Sequence, residues 1–417
     1  MKKILAFILA ALMVLALAAC AAPEGNTEDT KAPEADTTAD TGDTAVDFSK
    51  VKVGFIFLHN DQSSYDKNFM DAARAATAAL GLSDDQVIMK DGVEEGQACY
   101  DAAADMVDQG CTVIFADSFG HEEFLLQAAK EFPEVQFCHA TGVKAHTEKL
   151  NNYHNAFANI FEGRYLVGIA AGMKLNEMIE KGDITAEEAV IGYVGAFPYA
   201  EVKSGYTSFF LGARSVCPSA TMLVDFTNSW YDVDGERSVA NKLIDNGAVL
   251  ISQHADSMGA PGACNERNIP NVFYNGSTID SCPDTYLIAS KINWQPYFEY
   301  MLTCVAKGEA IDLDWCGTLA TGSVVLLDMN DKVAAEGTKE AIDKAMEEIK
   351  AGTLHVFDTD TFTVAGKKVE SYLADVDDMG DFVGETEVIA DGYFHESEYR
   401  SAPCFDMDID GITDLSK

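Results

Sequence analysis

The chain has 417 residues, with 68 acidic against 29 basic side chains and a formal charge of −39. That balance excludes nucleic acid as a partner, because its phosphates would be repelled, and it argues against a body lying flat on an anionic membrane. With 47% hydrophobic residues the chain reads as globular rather than disordered. Its length exceeds one ordinary core, so two domains and a tail are expected.

Met1-Lys2-Lys3 is a short basic start, residues 4–19 are apolar and uncharged, and the run ends Leu17-Ala18-Ala19-Cys20. This is the layout of a signal peptide over 1–19. A Cys directly after two small residues resembles a bacterial lipobox, which implies a lipid on Cys20 and an anchor on the outer face of the cell membrane. As an uncleaved span the apolar run is short of the roughly 20 residues a bilayer requires. Residues 20–48 are rich in Thr, Ala, Asp and Glu and poor in large apolar side chains. Such a segment cannot bury enough surface to fold and reads as a lipidated, acidic, disordered tether.

The body starts at Val51-Lys52-Val53-Gly54-Phe55-Ile56-Phe57-Leu58, a dense run that reads as a buried parallel strand. Strands follow at 87–89, 112–116 and 135–138, alternating with helices at 68–80, 97–109 and 122–131. Gly81 and Gly110 supply stop signals for the first two helices. The pattern then restarts with a helix at 163–180, strands at 190–194, 221–224, 249–252 and 272–274, and helices at 202–216 and 235–245. A third block holds 322–329 and a helix at 339–351. Strands alternating with such helices predict an α/β fold with parallel sheets covered on both faces. The expected division is lobe 1 over 51–158, completed by part of 294–356, and lobe 2 over 159–293. Residues 357–417 form an acidic C-terminal extension with several aromatics and no clear period.

In open parallel sheets ligands sit at the carboxyl ends of strands, on the loops that follow. Those loops hold His59 to Phe69, Asp117-Ser118-Phe119-Gly120-His121, Ala196 to Glu201, Asp225 to Tyr231, Gln253 to Ser257 and Asn275-Gly276-Ser277. Aromatics mixed with Asp, Asn, Ser and His suit a flat, uncharged, hydrogen-bonding ring. Taken singly, the Asn, Asp and Ser positions are more often turn residues than ligand contacts, and His254 fits a core histidine as well as a ligand contact. Catalytic motifs are missing from the sequence: there is no His-Glu-x-x-His, Gly-x-Ser-x-Gly, Walker loop or Gly-x-Gly-x-x-Gly. Of ten cysteines, nine remain beside Cys20, irregularly spaced and without Cys-x-x-Cys, so no zinc or iron–sulfur site is indicated and no disulfide pair is named. Neither an enzyme nor a cofactor nor a metal is expected.

The stretch Glu162-Gly163-Arg164-Tyr165-Leu166-Val167-Gly168-Ile169-Ala170-Ala171-Gly172-Met173 resembles the basic membrane protein (BMP) family, substrate-binding lipoproteins of ABC transporters. Phe197-Pro198-Tyr199-Ala200-Glu201-Val202, Asn228-Ser229-Trp230-Tyr231-Asp232 and Gln253-His254-Ala255-Asp256-Ser257 agree with it in order. The resemblance implies two Rossmann-like lobes joined by a hinge, of periplasmic-binding-protein type I-like fold, closing on a purine nucleoside or nucleobase. By position it places Trp230 on the base from lobe 2, with Phe119 and Tyr65 or Phe69 facing it from lobe 1. Asp61 and Asp256 would be polar partners of the base, with Ser118 and His254 beside them. Asn275 falls where nucleoside-binding members carry an Asp for the ribose, and Ser290-Lys291-Ile292-Asn293-Trp294 departs from the family pattern for the Lys that accompanies it. The expected partners are ABC permease subunits and, through the lipid, a membrane; the chain itself is expected to be a monomer. The competing readings are a nucleoside-acting hydrolase and a sensory binding protein for a flavin or another flat heterocycle.

Overall fold

The computed structural model describes residues 46–376 and 383–417, so the signal segment, Cys20 and most of the tether lie outside the described residues. In the first sheet, β1 (Val53–Ile56), β2 (Val87–Lys90), β3 (Val113–Ala116), β4 (Gln136–Ala140) and β5 (Tyr153–Ala158) are all parallel. Between them run α1 (Ser64–Ala79), α2 (Gln97–Asp108), α3 (Glu122–Glu131) and the single turn α4 (Ala145–Glu148). The chain then crosses into α5 (Ile160–Lys181) and builds a second parallel sheet. Its strands are β6 (Val190–Gly195), β7 (Thr221–Phe226), β8 (Leu250–His254), β9 (Asn271–Tyr274) and β10 (Tyr286–Ile292), with α6 (Ala200–Val216), α7 (Val233–Asp245) and α8 (Gly259–Arg267).

Two more crossings tie the lobes together. After β10 the chain returns to lobe 1, where α9 (Gln295–Lys307) lies against α1 and β11 (Asp314–Gly317) adds to β5. It then goes back to lobe 2, where β12 (Val324–Leu326) pairs antiparallel with β10, and α10 (Thr338–Lys350) packs on α5. The three connections fall near 158–160, 292–295 and 317–324. Among the described residues no helix is long and apolar enough to cross a membrane.

The stretch 162–173 forms the first half of α5, and its glycines explain themselves by packing. A Cβ on Gly168 would stand 2.1 Å from the Phe209 carbonyl oxygen of α6, and one on Gly212 of α6 would stand 2.0 Å from that of Tyr165. The two helices therefore touch backbone to backbone, and larger residues would push them apart. α1 starts four residues earlier than its apolar period suggests, because Ser63 caps it by accepting from the Asp66 N–H.

The extension forms the short pairs β13 (Leu373–Ala374) with β14 (Thr386–Glu387) and β15 (Ile389–Ala390) with β16 (Tyr393–Phe394). Its last strand, β17 (Ile412–Asp414), joins the lobe 2 sheet parallel to β7. Strands of two or three residues leave no periodic signal, which is why the sequence reads as patternless there.

Candidate functional site

A narrow, nearly closed slot lies between the lobes, at the carboxyl ends of their strands. The lobes are in contact around it. The Ser64 N–H donates to the Asp256 carbonyl (3.0 Å), the Ser64 hydroxyl to the Tyr274 carbonyl (3.3 Å), and the Phe119 ring of lobe 1 stacks on Tyr199 of lobe 2 at 5.2 Å.

Lobe 1 contributes Leu58, His59, Tyr65, Asp66, Ser118, Phe119 and Thr141 to the lining. Asp66 is 1% exposed and accepts from the His59 N–H (2.7 Å), His59 Nδ1 (3.3 Å) and the Ser63 hydroxyl (2.5 Å). Burial pushes its carboxyl up, but these hydrogen bonds outweigh burial and hold it below the usual range. Beneath it, Asp117 accepts from the Leu58 N–H (3.2 Å), while the Tyr65 hydroxyl donates to the Asp117 carbonyl (2.8 Å). Burial, then the charge of Asp66, drives the Asp117 carboxyl well up. The Ser118 hydroxyl is already committed to Glu95 at 2.7 Å, and the Ser118 carbonyl faces His139 Nε2 at 2.7 Å. Thr141 sits at φ 69°, a conformation costly for a β-branched residue, and its buried hydroxyl has no partner among the described residues.

Lobe 2 supplies Glu201, Trp230, His254 and Asp256. Trp230 lines the slot and is backed by Phe197, edge-on at 5.0 Å, which in turn stacks on Tyr199 at 5.1 Å. His254 Nε2 lies 3.5 Å from Glu201 Oε1. Burial holds the His254 ring below its usual pKa, against the pull of Glu201, which keeps it neutral at pH 7. Its other nitrogen abuts α6, where a Cβ on Gly205 would stand 2.6 Å away. Asp256 is 6% exposed; burial, then Asp66, Glu236 and Glu201, push its carboxyl well up. Its carboxyl receives no hydrogen bond among the described residues and is free to pair with whatever occupies the slot.

Arg164 of α5 is fully buried in lobe 2, with its guanidinium 5.1 Å from the Phe209 and Tyr274 rings. It donates to the Ser252 hydroxyl (2.7 Å) and the Tyr193 hydroxyl (3.1 Å), and Tyr274 in turn packs on His254 at 4.7 Å. The cation thus braces the floor that carries His254.

Of the residues singled out from sequence, Tyr65, Ser118, Phe119, Trp230, His254 and Asp256 meet at the slot. Three others stand elsewhere. Asp61 is exposed in the loop ahead of the Ser63 cap, and the cap turns Asp66 inward instead. Phe69 is fully buried one turn deeper on α1, stacked on Trp294 at 4.4 Å. Asn275 is buried at φ 60° after β9, outside the slot's lining, with both amide atoms lacking a partner among the described residues. Sequence reading passed over Asp66, Thr141 and Glu201. Asp66 and Glu201 stood in loops already recognised; Thr141 follows a strand whose loop carried no aromatic or acid to flag it.

The lining offers stacking faces and hydrogen-bonding edges. Burial pushes the Cys111 thiol up to about 11 and the Cys138 thiol up to about 12. Among the described residues no group of three or more His, Cys, Asp or Glu is placed to hold a metal ion.

Residues 59–356 match the family described as ABC transporter substrate-binding protein, PnrA-like. The chain belongs to that family. This PnrA-like protein is 30% identical to a purine-binding protein of Brucella abortus over 346 residues, 79% of this chain and 93% of the relative. It is 32% identical over 246 residues to a Haloferax volcanii protein named for glucose binding by an ABC transporter, covering 59% of each chain. Among solved structures it resembles an ABC transporter solute-binding protein of Aeropyrum pernix (TM-score 0.62, 15% identity, 74% of this chain and 93% of that one). A second is a solute-binding protein of Conexibacter woesei (TM-score 0.57, 19% identity, 73% and 98%). These two likenesses show the fold, a two-lobe α/β solute-binding architecture of type I-like form. The PnrA-like chain is therefore an ABC substrate-binding protein, of a class that works outside the cytoplasm.

Proposed function

We propose that this substrate-binding protein captures a purine nucleoside or nucleobase in the slot and delivers it to an ABC permease, while a lipid on Cys20 keeps it at the membrane. The observation that carries the ligand reading is the lining itself. Aromatic rings from both lobes flank a narrow space, and Asp66, Glu201, His254 and Asp256 present hydrogen-bonding groups at its edge. A stacked base gains roughly 1–3 kcal/mol per aromatic contact, and hydrogen bonds gain strength once closure excludes water. The purine-binding relative from Brucella supports the same ligand class. Asn275 stands off the slot, which favours recognition through the base rather than the ribose.

The test is calorimetry with adenine, adenosine, guanosine, riboflavin and glucose. A purine should bind at micromolar affinity or tighter. Glucose as the sole binder would transfer the assignment to sugars, and no binding of any purine below millimolar would end the purine reading. Release of free base from a nucleoside would mark a hydrolase instead. For the anchor, Cys20→Ala should move the protein out of the membrane fraction, and an unchanged distribution would refute lipidation.

A further inference from the structure

Residues 357–417 lie beyond the stretch matched to the family, and they touch both lobes in different ways. Their attachment to lobe 2 is a ladder and a dry aromatic cluster. β17 pairs with β7, Phe357 stacks on Phe405 at 4.5 Å and meets Phe161 of α5 at 5.5 Å, and Phe394 packs on Phe405 at 4.9 Å. Lys203 of α6 donates to the Asp406 carbonyl (2.8 Å) and to Asp408 (3.0 Å).

The contact with lobe 1 is polar and narrow. The Ser401 N–H donates to Asp314 Oδ2 (2.8 Å) at the start of β11, the end remote from the crossover, and His146 Nε2 of α4 reaches the same oxygen (2.8 Å). At this contact Asp314 Oδ1 and Ser401 Oγ are buried without a hydrogen-bond partner among the described residues. Unpaired buried polar groups are costly, and water satisfies them when the surfaces part. A ladder and an aromatic core have no such reason to separate. The extension therefore moves with lobe 2, and its junction with lobe 1 is the one built to open.

We propose that the C-terminal extension is a strap, fixed to lobe 2, that latches on lobe 1 through the Ser401–Asp314 bond and holds the two lobes closed. Opening about the three crossovers breaks the Ser401–Asp314 bond together with the Ser64–Asp256 bond across the slot. The strap thereby sets how often the slot opens, whatever ligand it takes.

Amide hydrogen exchange of the ligand-free full chain tests this, with the Ser64 N–H as reporter of opening. Asp314→Asn keeps the side-chain shape and removes the charge; Ser401→Pro removes the donating N–H and leaves Asp314 and His146 in place. Both should raise Ser64 exchange by about tenfold, with protection in Phe55 and Ile191, on strands paired on both sides, unchanged. Ser64 exchange equal to that of the unaltered chain in both variants would overturn the strap. So would acceleration spread evenly through both sheets, which would mean general destabilisation. No ligand is added, so a wrong assignment of the ligand leaves this result standing.

Discussion

The two lobes follow one βα plan but present their polar groups to the slot in different states. In lobe 1 most of those groups are already bonded within the lobe, Asp66 to His59 and Ser63 and Ser118 to Glu95, the Thr141 hydroxyl being the exception. In lobe 2 they are looser. Among the described residues the Asp256 carboxyl receives no hydrogen bond, and the Glu201–His254 contact is 3.5 Å long. Trp230 and the Phe197 and Tyr199 rings behind it also belong to lobe 2. Lobe 1 is thus a preset template, whereas lobe 2 brings stacking area and groups still free to pair. Substitutions in lobe 1 should act mainly on stability, and those in lobe 2 mainly on affinity.

The largest expected effect probes that division at its deepest point. Phe69→Ala should cost about 3–5 kcal/mol of stability in urea unfolding, as expected for a stacked core ring. A loss of affinity with little loss of stability would instead return Phe69 to the slot. Trp230→Ala should weaken ligand binding by roughly tenfold to a hundredfold, with a nearly unchanged melting temperature because the ring is only half-buried. If melting falls and affinity holds, Trp230 is structural. Asp66→Asn should lower stability by about 1–2 kcal/mol at pH 7. Because the Asp66 carboxyl is held below its usual value, its contribution is present above about pH 4 and is lost as pH falls through the folded value. The gap between parent and variant should therefore close on acidification; a gap independent of pH would remove the charge from the argument.

Smaller effects test the His146–Asp314 pair and the rim. The His146 pKa is raised, first by its hydrogen bond to Asp314, with burial and then Arg400 and Lys149 opposing. His146 and Asp314 both belong to lobe 1, so the pair's contribution to stability is full below about pH 6.5 and is lost as pH rises through the folded value. The stability gap between parent and His146→Phe should therefore shrink between pH 6 and 9, by less than about 1 kcal/mol, and a gap independent of pH in urea unfolding would remove the pair from the argument. Asp61→Asn should change stability by less than about 0.5 kcal/mol and leave affinity unaltered; a clear loss of affinity would bring the exposed loop into the site.

Much of the fold was legible because its signals are local. The runs Val53 to Ile56 and Val113 to Ala116 are apolar throughout, which only strands covered on both faces require. Gly110 ends its helix at φ 87°. The site was legible at the level of loops, and less so at the level of side chains. Asp61 and Asp66 share a loop and a chemistry, and only the Ser63 cap decides which of them turns inward. Tyr65 and Phe69 share a helix face, yet a single turn separates the slot from the core.

The sequence by itself determined the alternation of strands and helices, the restart that makes two lobes, and the loops at the carboxyl ends where a ligand would sit. Each depends on hydrophobic period and turn chemistry, which are properties of neighbouring residues. The tertiary structure alone decided which member of each loop faces the slot, how Arg164 comes to brace His254, and that the extension closes on β7 and reaches Asp314. Those outcomes depend on contacts between segments far apart in the chain, such as Ser401 with Asp314, and no local period encodes them.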